Sequence, residues 1–112
     1  METITQQLTA RFQELLGKKQ FCYGSFRSKP STPYANYGLN YSDNVDADDI
    51  TYYEVGLYTF RLVTDVKDFE LERKFKEIFT EFGLPYAVIT DEDITAQKVH
   101  CTEFEVTILG SQ

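Results

Sequence analysis

The sequence predicts an α+β fold. A mainly antiparallel sheet of about five strands carries two helices on one face, in the order α-β-β-β-α-β-β, and a β-hairpin arm projects from it. Three observations lead there. Leu71, Phe75, Ile78, Phe79 and Phe82 recur at helical spacing, as do Ile4, Leu8, Phe12 and Leu15 or Leu16. Ile50 to Thr64 is dense in β-formers, among them Tyr52, Tyr53, Val55, Leu57, Tyr58, Phe60, Leu62 and Val63. The chain of 112 residues suits one domain, 1–112, large enough to bury a core without disulfide staples.

Thr3 to Leu16 is the first helix, with Thr3 or Thr5 to cap it and Gly17 as a C′ residue. Gln20 to Phe26 is a short strand, and Arg27 to Pro33 a loop punctuated by Pro30 and Pro33. Tyr34 to Tyr41 alternates as a second strand. Ser42 to Asp49 is an acidic connector, longer than the usual hairpin loop of about two to five residues.

The third strand, Ile50 to Thr64, raises a question of size. Fully extended it would span roughly 50 Å, against a diameter of about 35 Å for a domain of this length. It must bend or project, and Gly56 is where a bend costs least. Ile50 to Val55, paired with Tyr37 to Tyr41, is expected to form the arm, leaving Leu57 to Thr64 in the body sheet.

Lys67 to Phe82 is the second helix, with Asp68 as N-cap, Glu70 and Glu72 in its first turn, Gly83 ending it and Pro85 blocking resumption. Tyr86 to Thr90 is a strand, Asp91 to Thr95 a turn or short acidic linker, and Lys98 to Leu109 the closing strand. In the closing strand Phe104, Val106 and Ile108 face in, while Glu103, Glu105 and Thr107 face out.

Charge and composition narrow the function classes. The net charge is −7, and no basic face for gripping phosphates is visible. A membrane-surface helix would also want Lys and Arg on its polar face. The N-terminus lacks the basic and apolar regions of a signal peptide, and no apolar run approaches a membrane span of about 20 residues. Cys22 and Cys101 read as buried free thiols of a protein folding in a reducing cytoplasm. Nine Phe and eight Tyr without Trp suit a ring-rich sheet and an interface.

No catalytic, cofactor or metal site emerges. His100 is the single histidine, and its neighbour Cys101 points to the other face of a strand. Cys22 could reach His100 only across the sheet, and the plain expectation for His100 is a half-exposed strand residue. A calcium loop starting at Asn44 fails, because Asp49 replaces the glycine and Val55 stands where the bidentate Glu is needed. The glycines form no phosphate cradle. The carboxylates Asp43, Asp46, Asp48, Asp49, Asp91, Glu92 and Asp93 fall in short polar segments with nothing to raise their pKa. The chain is therefore not expected to be an enzyme.

One pattern is more specific. An Asn/Asp-rich stretch, Ser42-Asp43-Asn44-Val45-Asp46-Ala47-Asp48, precedes Tyr52-Tyr53 and then Gly56-Leu57-Tyr58-Thr59. Lys67-Asp68 with Glu72, then Thr90-Asp91-Glu92, then Phe104-Glu105-Val106 follow in order. This arrangement, over Tyr34 to Ile108, resembles the small tail-completion or tail-terminator proteins of siphophages and of prophages of Gram-positive bacteria. The resemblance implies a virion protein that assembles with itself as a hexameric ring, caps the tail tube protein, and docks on the head connector protein. DNA would cross the lumen without specific binding, and no membrane or cofactor would be involved. It also implies that Tyr37 to Tyr53 is interface, with Tyr37, Tyr41, Asp43, Asp46, Asp48, Asp49, Tyr52 and Tyr53 as its candidate residues. Alternatives are a neighbouring head–tail connector component, or an acidic inhibitor or DNA-mimic module binding a basic protein in a salt-sensitive complex.

Overall fold

The computed structural model describes residues 4–46 and 52–109, with side chains over 4–39 and 56–108. The elements are α1 (Ile4–Leu16), β1 (Phe21–Tyr23), β2 (Tyr34–Asp46), β3 (Tyr52–Thr64), α2 (Phe69–Glu81), β4 (Tyr86–Ile94) and β5 (Val99–Leu109). The fold is α+β, in the order predicted.

Both helices start and stop where local chemistry dictates. In α1, Leu8 and Phe12 are fully buried. Gly17 follows at φ 115°, a left-handed conformation that suits glycine, and its N–H closes the helix on the Gln13 carbonyl at 2.8 Å. In α2, Asp68 caps the first turn by accepting from the Leu71 N–H at 3.0 Å. At the far end Gly83 lies at φ 68°. Its N–H bonds the Thr80 carbonyl at 3.0 Å and Leu84 N–H bonds Phe79 at 2.9 Å, the paired closure of a Schellman motif.

The strands form one five-stranded sheet in the order β1-β2-β3-β5-β4. β1 and β2 are parallel and every other pair is antiparallel. Alternation sorts the residues. Ala35, Tyr37, Tyr58, Phe60, Leu62, Phe104, Val106 and Ile108 are buried, while Asn36, Thr59, Arg61, Glu103 and Glu105 on the other face are not. Phe60 marks the covered face: its ring lies 5.5 Å from Phe12 of α1 and 5.1 Å from Phe79 of α2. Aromatic contacts extend from there through Phe21, Tyr37, Phe75 and Phe104. Rings supply the large apolar areas that a core of this size needs.

Four expectations need correction. β1 is only Phe21–Tyr23, because Gly24 turns the chain at φ 82°. The acidic segment from Ser42 to Asp46 is strand, not connector, paired from Ser42↔Gly56 to Asp46↔Tyr52. Likewise Asp91 to Ile94 is strand, and the turn lies at Thr95 to Lys98, with Lys98 at φ 57°. In both places the ladder is made by backbone groups and needs no apolar side chains. Finally, Gly56 is not where the ladder is interrupted. It pairs in register with Ser42 and Ile108, and the irregularity sits across from it, between Leu39 and Tyr41. The extra residue, Asn40, is accommodated on β2, and the pairing of β3 through Gly56 is unbroken.

The arm therefore has a different register from the expected one. Tyr37 pairs with Phe60 inside the body, and β2 and β3 continue together past the last β3–β5 pair, Val55↔Leu109. Asn44↔Glu54, Val45↔Tyr53 and Asp46↔Tyr52 are a two-stranded extension among the described residues. The molecule is correspondingly elongated, 52 × 27 × 27 Å, with a radius of gyration of 15.0 Å.

Candidate functional site

Three regions stand apart from the core: the hairpin extension, an ion-pair network at the opposite end of the sheet, and the outer edge formed by β4. The hairpin holds most residues anticipated as interface. Tyr41 pairs with Leu57, Asp43 with Val55, Asp46 with Tyr52 and Val45 with Tyr53. Asp48 and Asp49 lie outside the described residues. Tyr37 lies in the core. It is 5% exposed, stacks on Phe60 with 4.8 Å between centroids, and places its hydroxyl 2.9 Å from Thr9 Oγ1.

The network is built where α2 begins. Lys67 precedes the helix, and Glu72 in its first turn faces the sheet at 6% exposure. Lys67 Nζ donates to Glu72 Oε1 and Oε2 at 2.9 and 3.1 Å, and to Asp91 Oδ2 and Oδ1 at 2.8 and 3.0 Å. Thr102 Oγ1 donates to Glu72 Oε2 at 3.0 Å. On β4, Asp91 and Asp93 share one face by alternation, and the β4–β5 register sets them opposite Thr102 and His100.

His100 is 4% exposed, not half-exposed as its strand position suggested. Its Nδ1 lies 2.7 Å from Asp93 Oδ1 and its Nε2 lies 2.6 Å from Asp91 Oδ1. A carboxylate only accepts, so both contacts are hydrogen bonds when both ring nitrogens carry hydrogen, that is, when the imidazole is a cation. Asp93 first, and then Asp91, raise the His100 pKa against the opposing effect of burial. Asp91 is held below its usual range, mainly by Lys67 and then by His100. Burial pulls Lys67 down, but its bonds to Asp91 and Glu72 outweigh that and the net shift is upward.

Glu72, Asp91 and His100 bring ligand atoms within 4.8 Å of one another, a grouping able to hold a metal ion. The Lys67 ammonium already satisfies both carboxylates, so the arrangement is that of a closed ion-pair network. Beside it is a cleft of about 430 Å³ lined by Val66, Lys67, Asp93, Ile94, Lys98 and Val99 among others. The network escaped the sequence reading because its members are distant in the chain. Two local signals were present: the alternation of Asp91 and Asp93, which places two carboxylates on one face if the segment is a strand, and the spacing of Glu72 to Phe75 and Phe79, which puts it on the buried helix face.

The cysteines are unpaired thiols, Cys101 buried and Cys22 half-buried. Burial raises the pKa of both. Cys22 cannot reach His100: β1 and β5 are separated by two strands, about 14 Å at the usual strand spacing.

β4 closes one side of the sheet. From Tyr86 to Ile89 every residue is exposed, Val88 at 42% and Ile89 at 50%. Among the described residues no helix is long and apolar enough to cross a membrane.

No protein-family model matches the chain, and no curated protein does. Among solved structures it is similar to a chain in the virion of a native gene transfer agent particle, with a TM-score of 0.56 and 17% identity. The match covers 95% of this chain and 91% of that one, so the likeness takes in nearly the whole of both folds.

Proposed function

We propose that this protein is a non-enzymatic structural component of a phage-like virion. In this reading it assembles as a hexameric ring that caps the tail tube and joins it to the head connector, with DNA passing through the lumen. The observation that carries the reading is the nearly end-to-end likeness of fold to a chain of a virion particle. The hairpin that outruns the sheet supports it, since a two-stranded extension cannot bury its own faces and is suited to packing against a neighbour. The net charge of −7 supports a channel that does not retain DNA.

The reading is tested with purified tail-tube protein that polymerises on its own. Adding this chain is expected to stop tube growth and place one additional ring at a single tube end in negative-stain images. Tubes of unaltered length with bare ends would count against tail capping. A ring bound instead to connector preparations alone would favour a neighbouring head–tail connector component.

A further inference from the structure

We propose that copies of this chain join edge to edge, β4 of one copy lying antiparallel against β1 of the next, so that the sheet continues around the assembly. The inference rests on the ring reading above and names the surfaces that would form it. β1 and β4 are the two outer strands of the sheet, and each has an unpaired edge among the described residues. Such edges present backbone donors and acceptors ready for another strand. β4 runs opposite to β1, because three antiparallel steps follow the one parallel step between them.

Height along the strands then decides which residues meet. In a closed ring whose axis follows the strands, each copy is carried to the next at the same height. Pairings across the sheet put Tyr23 level with Tyr37, Phe60, Phe104 and Val88. They put Phe21 level with Ala35, Leu62, Thr102 and Asp91. Tyr23, 59% exposed, would therefore meet the exposed Val88. Lys18 and Lys19, exposed just before β1, would meet the acidic lower half of β4, where Glu92 and Asp93 are exposed. Apolar faces apolar above and cation faces carboxylate below, in one register. The two edges differ from each other, so the contact is head-to-tail, the kind that closes into rings. β1 spans only Phe21–Tyr23. The ladder is correspondingly short, and these side-chain contacts must fix the register.

The test uses the full chain with Cys22→Ser, into which Tyr23→Cys and Val88→Cys are introduced together. Both sites are exposed, so folding is retained, which circular dichroism checks. Mild oxidation is expected to give a ladder of disulfide-linked multimers, since level residues in adjacent antiparallel strands lie within disulfide reach. Either cysteine alone would stop at the dimer. Independently, Lys19→Glu should raise the concentration for half-assembly by about fivefold, and by less at high salt. Rings seen by mass photometry, but with no ladder and no effect of charge reversal, would overturn the edge pairing and leave the ring reading standing. A chain that stays monomeric at all concentrations, with and without tail tubes, would overturn both.

Discussion

Nδ1 of His100 lies 2.7 Å from Oδ1 of Asp93, and this bond ties the outer strand β4 to its neighbour β5 at the end of the sheet. The second ring nitrogen meets Asp91, so the pair of bonds exists only while the imidazole is charged. Stability should follow that charge. The folded His100 pKa is raised above its ordinary 6.5, so its contribution is complete below about 6.5 and is lost as pH rises through the folded value. Asp91 is lowered from 3.8, so its contribution is present above about 3.8 and lost as pH falls through the folded value. For these two groups stability is greatest between those limits. Urea midpoints measured across pH should show an alkaline decline in the native chain that is absent in His100→Gln. An unchanged alkaline decline in the variant would place its origin elsewhere.

Lys67 and Glu72 give a prediction in which a second change partly reverses the first. Lys67→Met leaves the Glu72 carboxylate, 6% exposed, with Thr102 as its remaining bonded partner among the described residues, and should cost about 2–4 kcal/mol. Removing the charge as well, in Lys67→Met with Glu72→Met, should recover a good part of that loss, because two apolar side chains need no solvation. Denaturant midpoints of the three variants decide it. A double variant less stable than Lys67→Met would show that the Glu72 side chain stabilises the fold even without Lys67.

These relationships explain how much the sequence disclosed. Element order was legible because the helical stripes of α1 and α2 and the alternation of β5 are apolar signals of a clear period. Strand ends were not. Ser42 to Asp46 and Asp91 to Ile94 are polar, and a backbone ladder leaves no mark in the hydrophobic pattern. Gly56 attracted the expected bend because glycine bends cheaply, but the interruption of the ladder lies on the partner strand, at Asn40. The ion-pair network depends on strand order, which sets β4 beside β5, and on helix phase, which turns Glu72 inward. Strand order does not follow from local spacing, whereas the helix phase does, since Glu72 stands three and seven residues before Phe75 and Phe79.

Asp68 offers a cleaner test of a local signal. Its carboxylate accepts from Leu71 N–H at 3.0 Å, and the residue lies outside the ion-pair network. Asp68→Ala should cost about 1 kcal/mol, whereas Asp68→Asn, which keeps the acceptor, should cost only a fraction of that. Thermal denaturation of the two variants separates lost capping from lost charge. Equal losses would mean that the negative charge at the helix N-terminus matters more than the hydrogen bond.

Tyr37 separates a core role from a contact role. The resemblance to tail terminators placed it in the interface, yet its ring stacks between Phe21 and Phe60 and its hydroxyl meets Thr9 across to α1. Tyr37→Phe keeps the ring and removes one hydrogen bond, so it should cost about 1 kcal/mol. Tyr37→Ala empties a site inside the aromatic cluster and should cost about 3–5 kcal/mol. If Tyr37 acts within its own chain, Tyr37→Phe lowers the denaturation midpoint while leaving the concentration dependence of assembly unchanged. A variant of native stability that assembles poorly would return Tyr37 to the interface, and would require the contact between α1 and β2 to open when copies meet.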